Sequence, residues 1–140
     1  MKESKWITLR NIARIEVRVG DINYGGHMGN DKALLVFHDA RLAFLESLGF
    51  NEKNIGGPAI IMRDAHVNFR KEVFLHDALT IDVGIDDVTT TSFNMVYTVK
   101  RENDGEVVFL GSTGLVAFDY NARKVARIPE IFLEKITVRL

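Results

Sequence analysis

The 140-residue chain is 46% apolar and 26% charged, carries a net charge of −1 and contains no cysteine. Those values predict one globular domain spanning residues 1–140, and they exclude disulfides, thiolate metal sites and a cysteine nucleophile. The near-zero charge argues against a general nucleic-acid or membrane-surface role. No apolar run approaches the roughly 18 residues needed to cross a bilayer, and no hydrophobic stretch follows Met1–Trp6, so the expected location is the cytoplasm.

In chain order, residues 12 to 19 alternate, with Ile15, Val17 and Val19 on one face and Arg14, Glu16 and Arg18 on the other, which predicts a half-buried strand. Residues 19 to 31 follow as a polar loop. It holds four glycines, two aspartates, two asparagines and a histidine in thirteen residues. Residues 31 to 48 form the one long helix candidate. On a helical wheel Asp31, Lys32, His38, Asp39 and Glu46 share a narrow polar arc, while Ala33, Leu34, Val36, Phe37, Ala40, Ala43, Phe44, Leu45 and Leu48 cover most of the rest. A helix so widely apolar is expected to be enclosed by other structure. Asn30 or Asp31 offers its N-cap and Gly49 its C′ stop. Arg41 projects from the apolar arc, where a guanidinium needs a carboxylate or carbonyl partner, so a structural ion pair is expected.

Beyond the polar loop at Asn51–Pro58 the chain reads as strands. Residues 59 to 70 begin apolar and then alternate. Residues 78 to 87 put Leu79, Ile81, Val83 and Ile85 on one face, and residues 91 to 101 do the same with Phe93, Met95, Tyr97 and Val99. Asn103-Asp104-Gly105 is a hairpin turn signal. Residues 106 to 120 are apolar on both faces, as in a central strand or one buried against a second subunit. Asn121–Lys124 reads as a turn, and Pro129 can open a short helix at its first position, Pro129 to Lys135, with a tail from Ile136 to Leu140. Hairpin connections predict an antiparallel sheet, which one helix covers only if the sheet curls around it. A long open edge strand is expected to pair across a dimer.

The chemistry is expected in the loop at 19–31. Glycines let backbone approach a ligand, and a helix N-terminus offers free N–H groups to a developing negative charge. Backbone N–H groups from Gly29 through Asn30 to Asp31 are the candidate oxyanion donors. His27 is the candidate base because imidazole titrates near neutrality. Asp31 and Asp21 are the carboxylate candidates. Each has a structural alternative: Asp31 as an N-cap, and Asp21 and Asn23 as Asx-turn acceptors. His66 and His76 read as surface or packing residues. The four histidines show no paired spacing for a metal, so no metal site and no cofactor are expected.

The motif Gly20-Asp21-x-Asn23-x-x-Gly26-His27-x-x-Asn30, the helix text Ala40-Arg41-x-x-Phe44-Leu45-x-x-Leu48-Gly49 and the Ile128-Pro129-Glu130 opening of the last helix resemble the hotdog-fold acyl-CoA thioesterases of the 4-hydroxybenzoyl-CoA thioesterase type. The resemblance implies an α+β hotdog fold, with a five-stranded antiparallel sheet wrapped around one long central helix and a short C-terminal helix. It also implies an acyl-CoA substrate and a homodimer with its sites at the subunit interface, often assembled further as a dimer of dimers. Coenzyme A is then part of the substrate. Asn23, His27, Asp31 and Asp21 become the catalytic candidates. Tyr24, Gly26, Gly29, Asn30, Asp64, Arg70 and Lys71 become the substrate-binding ones, with Phe37 as a further acyl-pocket candidate and Arg123-Lys124 as a further basic pair.

One position departs from the family pattern. The family loop reads Asp-x-Asp-x-x-Gly, and its second aspartate is the catalytic carboxylate in well-studied members. Here that residue is Asn23, whose amide can act neither as general base nor as carboxylate nucleophile. A non-catalytic acyl-thioester-binding module is therefore one alternative. A hotdog enoyl-thioester hydratase or dehydratase is another, although those loops carry a proline where this chain has Tyr24, and His27 falls one residue late for their motif.

Overall fold

A computed structural model describes residues 5–138. Strand β1 (Thr8–Glu16) enters first, followed by a 3-10 turn at Val19–Asp21 and a second at Asn30–Lys32 that runs into helix α1 (Ala33–Ser47). Strands β2 (Ala59–Phe69), β3 (Ala78–Asp86), β4 (Ser92–Arg101) and β5 (Val107–Asp119) come next, then the two-residue β6 (Lys124–Val125) and helix α2 (Glu130–Ile136). All pairings are antiparallel in the order β1-β3-β4-β5-β2, with β6 beside β5. The expected antiparallel α+β architecture is present. The count of five strands needs correction, because the turn at 121–124 leads into β6.

The central strands follow their alternation. Leu79, Ile81, Val83 and Ile85 of β3 and Phe93, Met95, Tyr97 and Val99 of β4 are all buried. Helix α1 packs across them and β1 through Val36, Phe37, Ala40, Phe44 and Leu45. Phe37 stacks on Tyr97, ring centroids 4.3 Å apart and planes 8° from parallel. It is fully buried in the core. The hairpin at Asn103–Gly105 forms as its sequence predicts, with Gly105 at φ 72°. Strand β5 lies inside the sheet between β4 and β2, which explains its two apolar faces.

Several boundaries depart from the sequence reading. Strand β1 starts four residues earlier and stops at Glu16, so Val19 lies in the 3-10 turn and is 75% exposed. Between Leu9 and Ala13 its register shifts against β3, and Asn11 takes a left-handed φ of 51°. The Asn11 N–H donates to Asp82 Oδ1 at 2.8 Å, and Lys100 Nζ lies 3.0 Å from the other oxygen. A buried carboxylate thus pins a bulge that interrupts the alternation.

Helix α1 has no side-chain cap: Gly29 begins the preceding 3-10 turn and Lys32 begins the α-helix, so neither Asn30 nor Asp31 is the N-cap. Its C-terminus is as expected. The Phe50 N–H donates to Leu45 O and the Gly49 N–H to Glu46 O, with Gly49 at φ 87°, a Schellman stop. Leu34 and Leu35 are 42% and 57% exposed, so one face of the helix is not enclosed within the chain. Pro129 is the N-cap of α2 and stands one residue before the helix it was expected to open. Of the tail, Thr137 pairs with Trp6, and residues 139–140 lie outside the described residues.

Arg41 has the expected carboxylate. Its Nε donates to Glu52 Oε2 at 2.9 Å and its Nη1 to the Tyr97 hydroxyl at 3.1 Å. Tyr97 also shares a hydrogen bond of 2.7 Å with Thr113 Oγ1, and His38 Nε2 lies 2.7 Å from Glu52 Oε1. Burial drives the Tyr97 hydroxyl above its ordinary pKa, which keeps it protonated as a donor. The network ties the middle of α1 to the sheet below and to the Asn51–Pro58 loop behind. Among the described residues no buried side-chain nitrogen or oxygen lacks a partner.

Candidate active site

The 19–31 loop folds back on itself as a small hairpin. Ile22 pairs with Met28, the Asn23 N–H donates to His27 O at 2.9 Å, and the Gly26 N–H returns to Asn23 O. Gly26 takes φ 80°, the conformation its missing Cβ allows. The Asn23 side chain is used locally, its Oδ1 accepting the Gly25 N–H at 2.8 Å in an Asx turn. Asp21 is used likewise, its Oδ2 accepting the Arg18 N–H at 2.9 Å.

The hairpin is moored to the segment after β2. His27 bridges Phe74, and the Met28 N–H donates to Val73 O at 2.6 Å. Met28 and Val73 both point into the core. This mooring brings the loop beside the end of β2 and creates a pocket of about 200 Å³ lined by His27, Met28, Asn30, Phe69, Arg70, Lys71, Glu72, Val73 and Phe109. Four residues expected at the site from sequence, His27, Asn30, Arg70 and Lys71, therefore share one cleft. His27 Nδ1 lies 3.2 Å from Met28 O. Donation from Nδ1–H to that carbonyl selects the tautomer whose Nε2 carries the lone pair. Arg70 Nε donates to Asn68 Oδ1 at 2.6 Å, and Lys71 Nζ lies 3.4 Å from Glu106 Oε2, so both cations are held at the mouth.

The other candidates stand apart. Asp21 lines a second cleft, of about 550 Å³, on the β1 side of the loop, together with Arg14, Arg18, Lys32, His38 and Asp39. Tyr24 projects fully into solvent at the loop tip. Asp31 turns back over Gly29, where a Cβ would come within 2.5 Å of its Oδ1, and its Oδ2 is 3.9 Å from Lys32 Nζ. Gly29 spends its own N–H on Asp21 O, leaving the Asn30 and Asp31 N–H groups without a partner among the described residues. Asp64 sits at a bulge in β2, accepting the Gly114 N–H and facing Arg63. Arg123 and Lys124 lie at the β5–β6 turn. Among the described residues no cluster of His, Asp or Glu is arranged to hold a metal, and no helix is long and apolar enough to cross a membrane.

Sequence reasoning missed Phe69, Glu72, Val73 and Phe109 as pocket walls. Phe69 and Phe109 read there as strand residues, and Glu72 and Val73 fall in an unmotivated connection. Only the long-range mooring of the loop onto Val73 and Phe74 reveals them.

Solved structures share this arrangement of elements. A 1,4-dihydroxy-2-naphthoyl-CoA thioesterase from Synechocystis superposes with a TM-score of 0.82 at 20% identity, over 92% of this chain and 95% of that one. A DHNA-CoA thioesterase from Staphylococcus aureus gives 0.79 at 22% identity, over 91% and 85%. A hypothetical protein from Staphylococcus aureus, solved in complex with CoA, gives 0.80 at 18% identity, over 96% and 85%. At such identities the likeness establishes the fold, the hotdog arrangement implied by the loop and helix motifs. No curated protein matches the chain. The family model of the thioesterase-like superfamily matches residues 17–136, taking in the loop, the helix and every strand from β2 onward. With the match covering most of its length, the chain belongs to the thioesterase-like superfamily.

Proposed function

We propose that the chain is an acyl-CoA thioesterase and that the thioester lies in the pocket between the His27 loop and the end of β2. The observation that carries this reading is the convergence of His27, Asn30, Arg70 and Lys71 on one small cleft with an apolar floor of Phe69, Val73 and Phe109. The floor suits a fatty or aromatic acyl group. The two cations at the mouth suit the phosphates of coenzyme A. The free N–H groups of Asn30 and Asp31, at the start of α1, suit the oxygen that becomes negative as the carbonyl turns tetrahedral. His27, with Nδ1 committed to Met28 O, has Nε2 left to accept a hydrogen bond from the attacking water and aim it. The named activities of the solved neighbours, and the CoA bound to one of them, support the same substrate class.

The test is thiol release from short-, medium-, long-chain and aromatic acyl-CoA esters. Wild-type protein turns over at least one of them. His27→Ala lowers kcat by about 100-fold, the scale of a misplaced attacking group. Arg70→Ala and Lys71→Ala act mainly on KM. No release from any ester withdraws the hydrolase reading. Calorimetric CoA binding in that case identifies an acyl-thioester-binding module, and absorbance loss from an enoyl-CoA identifies a hydratase.

A further inference from the structure

The hydrolase reading gives the water His27 Nε2 to aim it but no carboxylate to take its proton, because the loop position where the family carries one is Asn23. That amide is also committed, through Oδ1, to the Gly25 N–H. The remaining loop carboxylates are not among the residues lining this pocket: Asp21 accepts the Arg18 N–H and lines a different cleft, and Asp31 lies over Gly29 with Lys32 Nζ 3.9 Å away. The carboxylate for this pocket has to come from elsewhere.

We propose that Glu72 is that carboxylate and acts as the general base for the attacking water. It is the one carboxylate among the residues that line the pocket with His27 and Asn30. Its register follows from the mooring of the loop. His27 pairs with Phe74 and the Met28 N–H donates to Val73 O, so Glu72 falls opposite Gly29, diagonal to His27. Side chains alternate across extended backbone, and Met28 and Val73 take the buried side. His27 and Glu72 therefore share the other side, where Gly29 between them adds no side chain and the Asp31 carboxylate lies over its Cα. Glu72 is exposed, and among the described residues no ion pair or hydrogen bond engages its carboxylate. The neighbouring Glu106 and Asp104 are by contrast paired with Lys71 and Arg101. A carboxylate kept free beside an imidazole and two cations is placed to accept a proton.

One water O–H is held by His27 Nε2, and the other proton passes to Glu72 as the water oxygen bonds to the acyl carbon. The carbonyl electrons move to the oxygen facing the Asn30 and Asp31 N–H groups. On collapse the C=O re-forms, the C–S bond breaks with its electron pair on sulfur, and Glu72 returns its proton to that sulfur. Free acid and coenzyme A thiol leave, and the carboxylate is regenerated. No other reactant is consumed.

This inference rests on the hydrolase reading, and the experiment separates the two. Thiol release is followed for wild type, Glu72→Gln, Glu72→Ala, Glu72→Asp and Glu134→Gln, with circular dichroism melts to confirm folding. Glu72→Gln is expected to lower kcat by about 100-fold or more with KM within about threefold, the range of a lost general base. Glu72→Asp keeps part of the rate, and added formate partly restores Glu72→Ala. Glu134→Gln, which removes an equal charge from α2 away from the pocket, stays within about threefold of wild type. Wild-type turnover with Glu72→Gln equally fast overturns the Glu72 assignment alone. Absence of wild-type turnover overturns it together with the hydrolase reading. If Glu72→Gln fails to fold, formate rescue of Glu72→Ala decides, and a rate indifferent to formate overturns the assignment.

Discussion

Gly111, in the middle of β5, faces the ring of Phe37, and a Cβ there would lie 2.9 Å from Phe37 Cε2 while colliding with the backbone carbonyl of His66 on β2. Helix and sheet approach this closely only because position 111 has no side chain. Gly111→Ala is expected to destabilise the fold by about 2–3 kcal/mol, since strand backbone rather than a flexible side-chain end must move. Urea denaturation measures it, and an unchanged midpoint refutes the close-packing argument. Nothing near Gly111 in the sequence announced this role. The chemistry of the loop was easier to see, because glycines, asparagines and a histidine concentrated in thirteen residues have few purely structural uses. Even so, the sequence could not tell which side chains were free. Asn23 satisfies the N–H two residues ahead of it in an Asx turn, and Asp21 the Arg18 N–H three residues behind it, as in a capping box. Glu72 became visible as a candidate only once His27 was seen to pair with Phe74, forty-seven positions along the chain.

At the scale of elements, alternation read β3 and β4 almost to the residue because each presents four buried positions to the core. It failed on β1, where a bulge held by Asp82 resets the register, and at the start of α1, where a 3-10 turn replaces a capped α-helical first turn. The first failure comes from a partner distant in sequence overruling a local pattern, whereas the second is local, the Lys32 N–H closing on Gly29 O. The tie between α1 and the loop behind it makes a pH prediction. Burial works to raise the Glu52 carboxyl, but hydrogen bonds from Arg41 and His38 outweigh it and hold Glu52 below its ordinary value of 4.5. A carboxyl depressed by folding contributes stability that is present above its unfolded pKa and is lost as pH falls through the lower, folded one. Urea stability should therefore begin to fall below about pH 4.5 and keep falling until Glu52 protonates in the native state. In Glu52→Gln this part of the slope is absent. Equal slopes for the two proteins between pH 4.5 and 2 would show that the Arg41–Glu52–His38 tie has no such effect.

At the scale of the whole molecule, the eleven residues of β2 pair with β5 on one side and, among the described residues, with nothing on the other. An edge that long, with Met62 49% exposed on it and Phe69 46% exposed at its end, invites a second copy. Leu34 and Leu35, exposed on α1 near its start, leave a second apolar area that the sequence pattern expected to be covered. The pocket continues from the same strand, since Phe69, Arg70 and Lys71 follow one another off its end. Whatever seats against β2 therefore borders the proposed site, and a homodimer joined through β2 would explain the edge, the bare helix face and the small size of a cleft built from one chain. Light scattering after size exclusion should give about twice the chain mass of 15.8 kDa at micromolar concentration. Met62→Asp places a carboxylate on the edge in both copies, so the dimer should dissociate at higher concentration than wild type and lose thioesterase rate in step with its dissociation. A wild-type mass equal to one chain removes the dimer. A dimer whose Met62→Asp form dissociates without any loss of rate would place the whole reaction within a single copy.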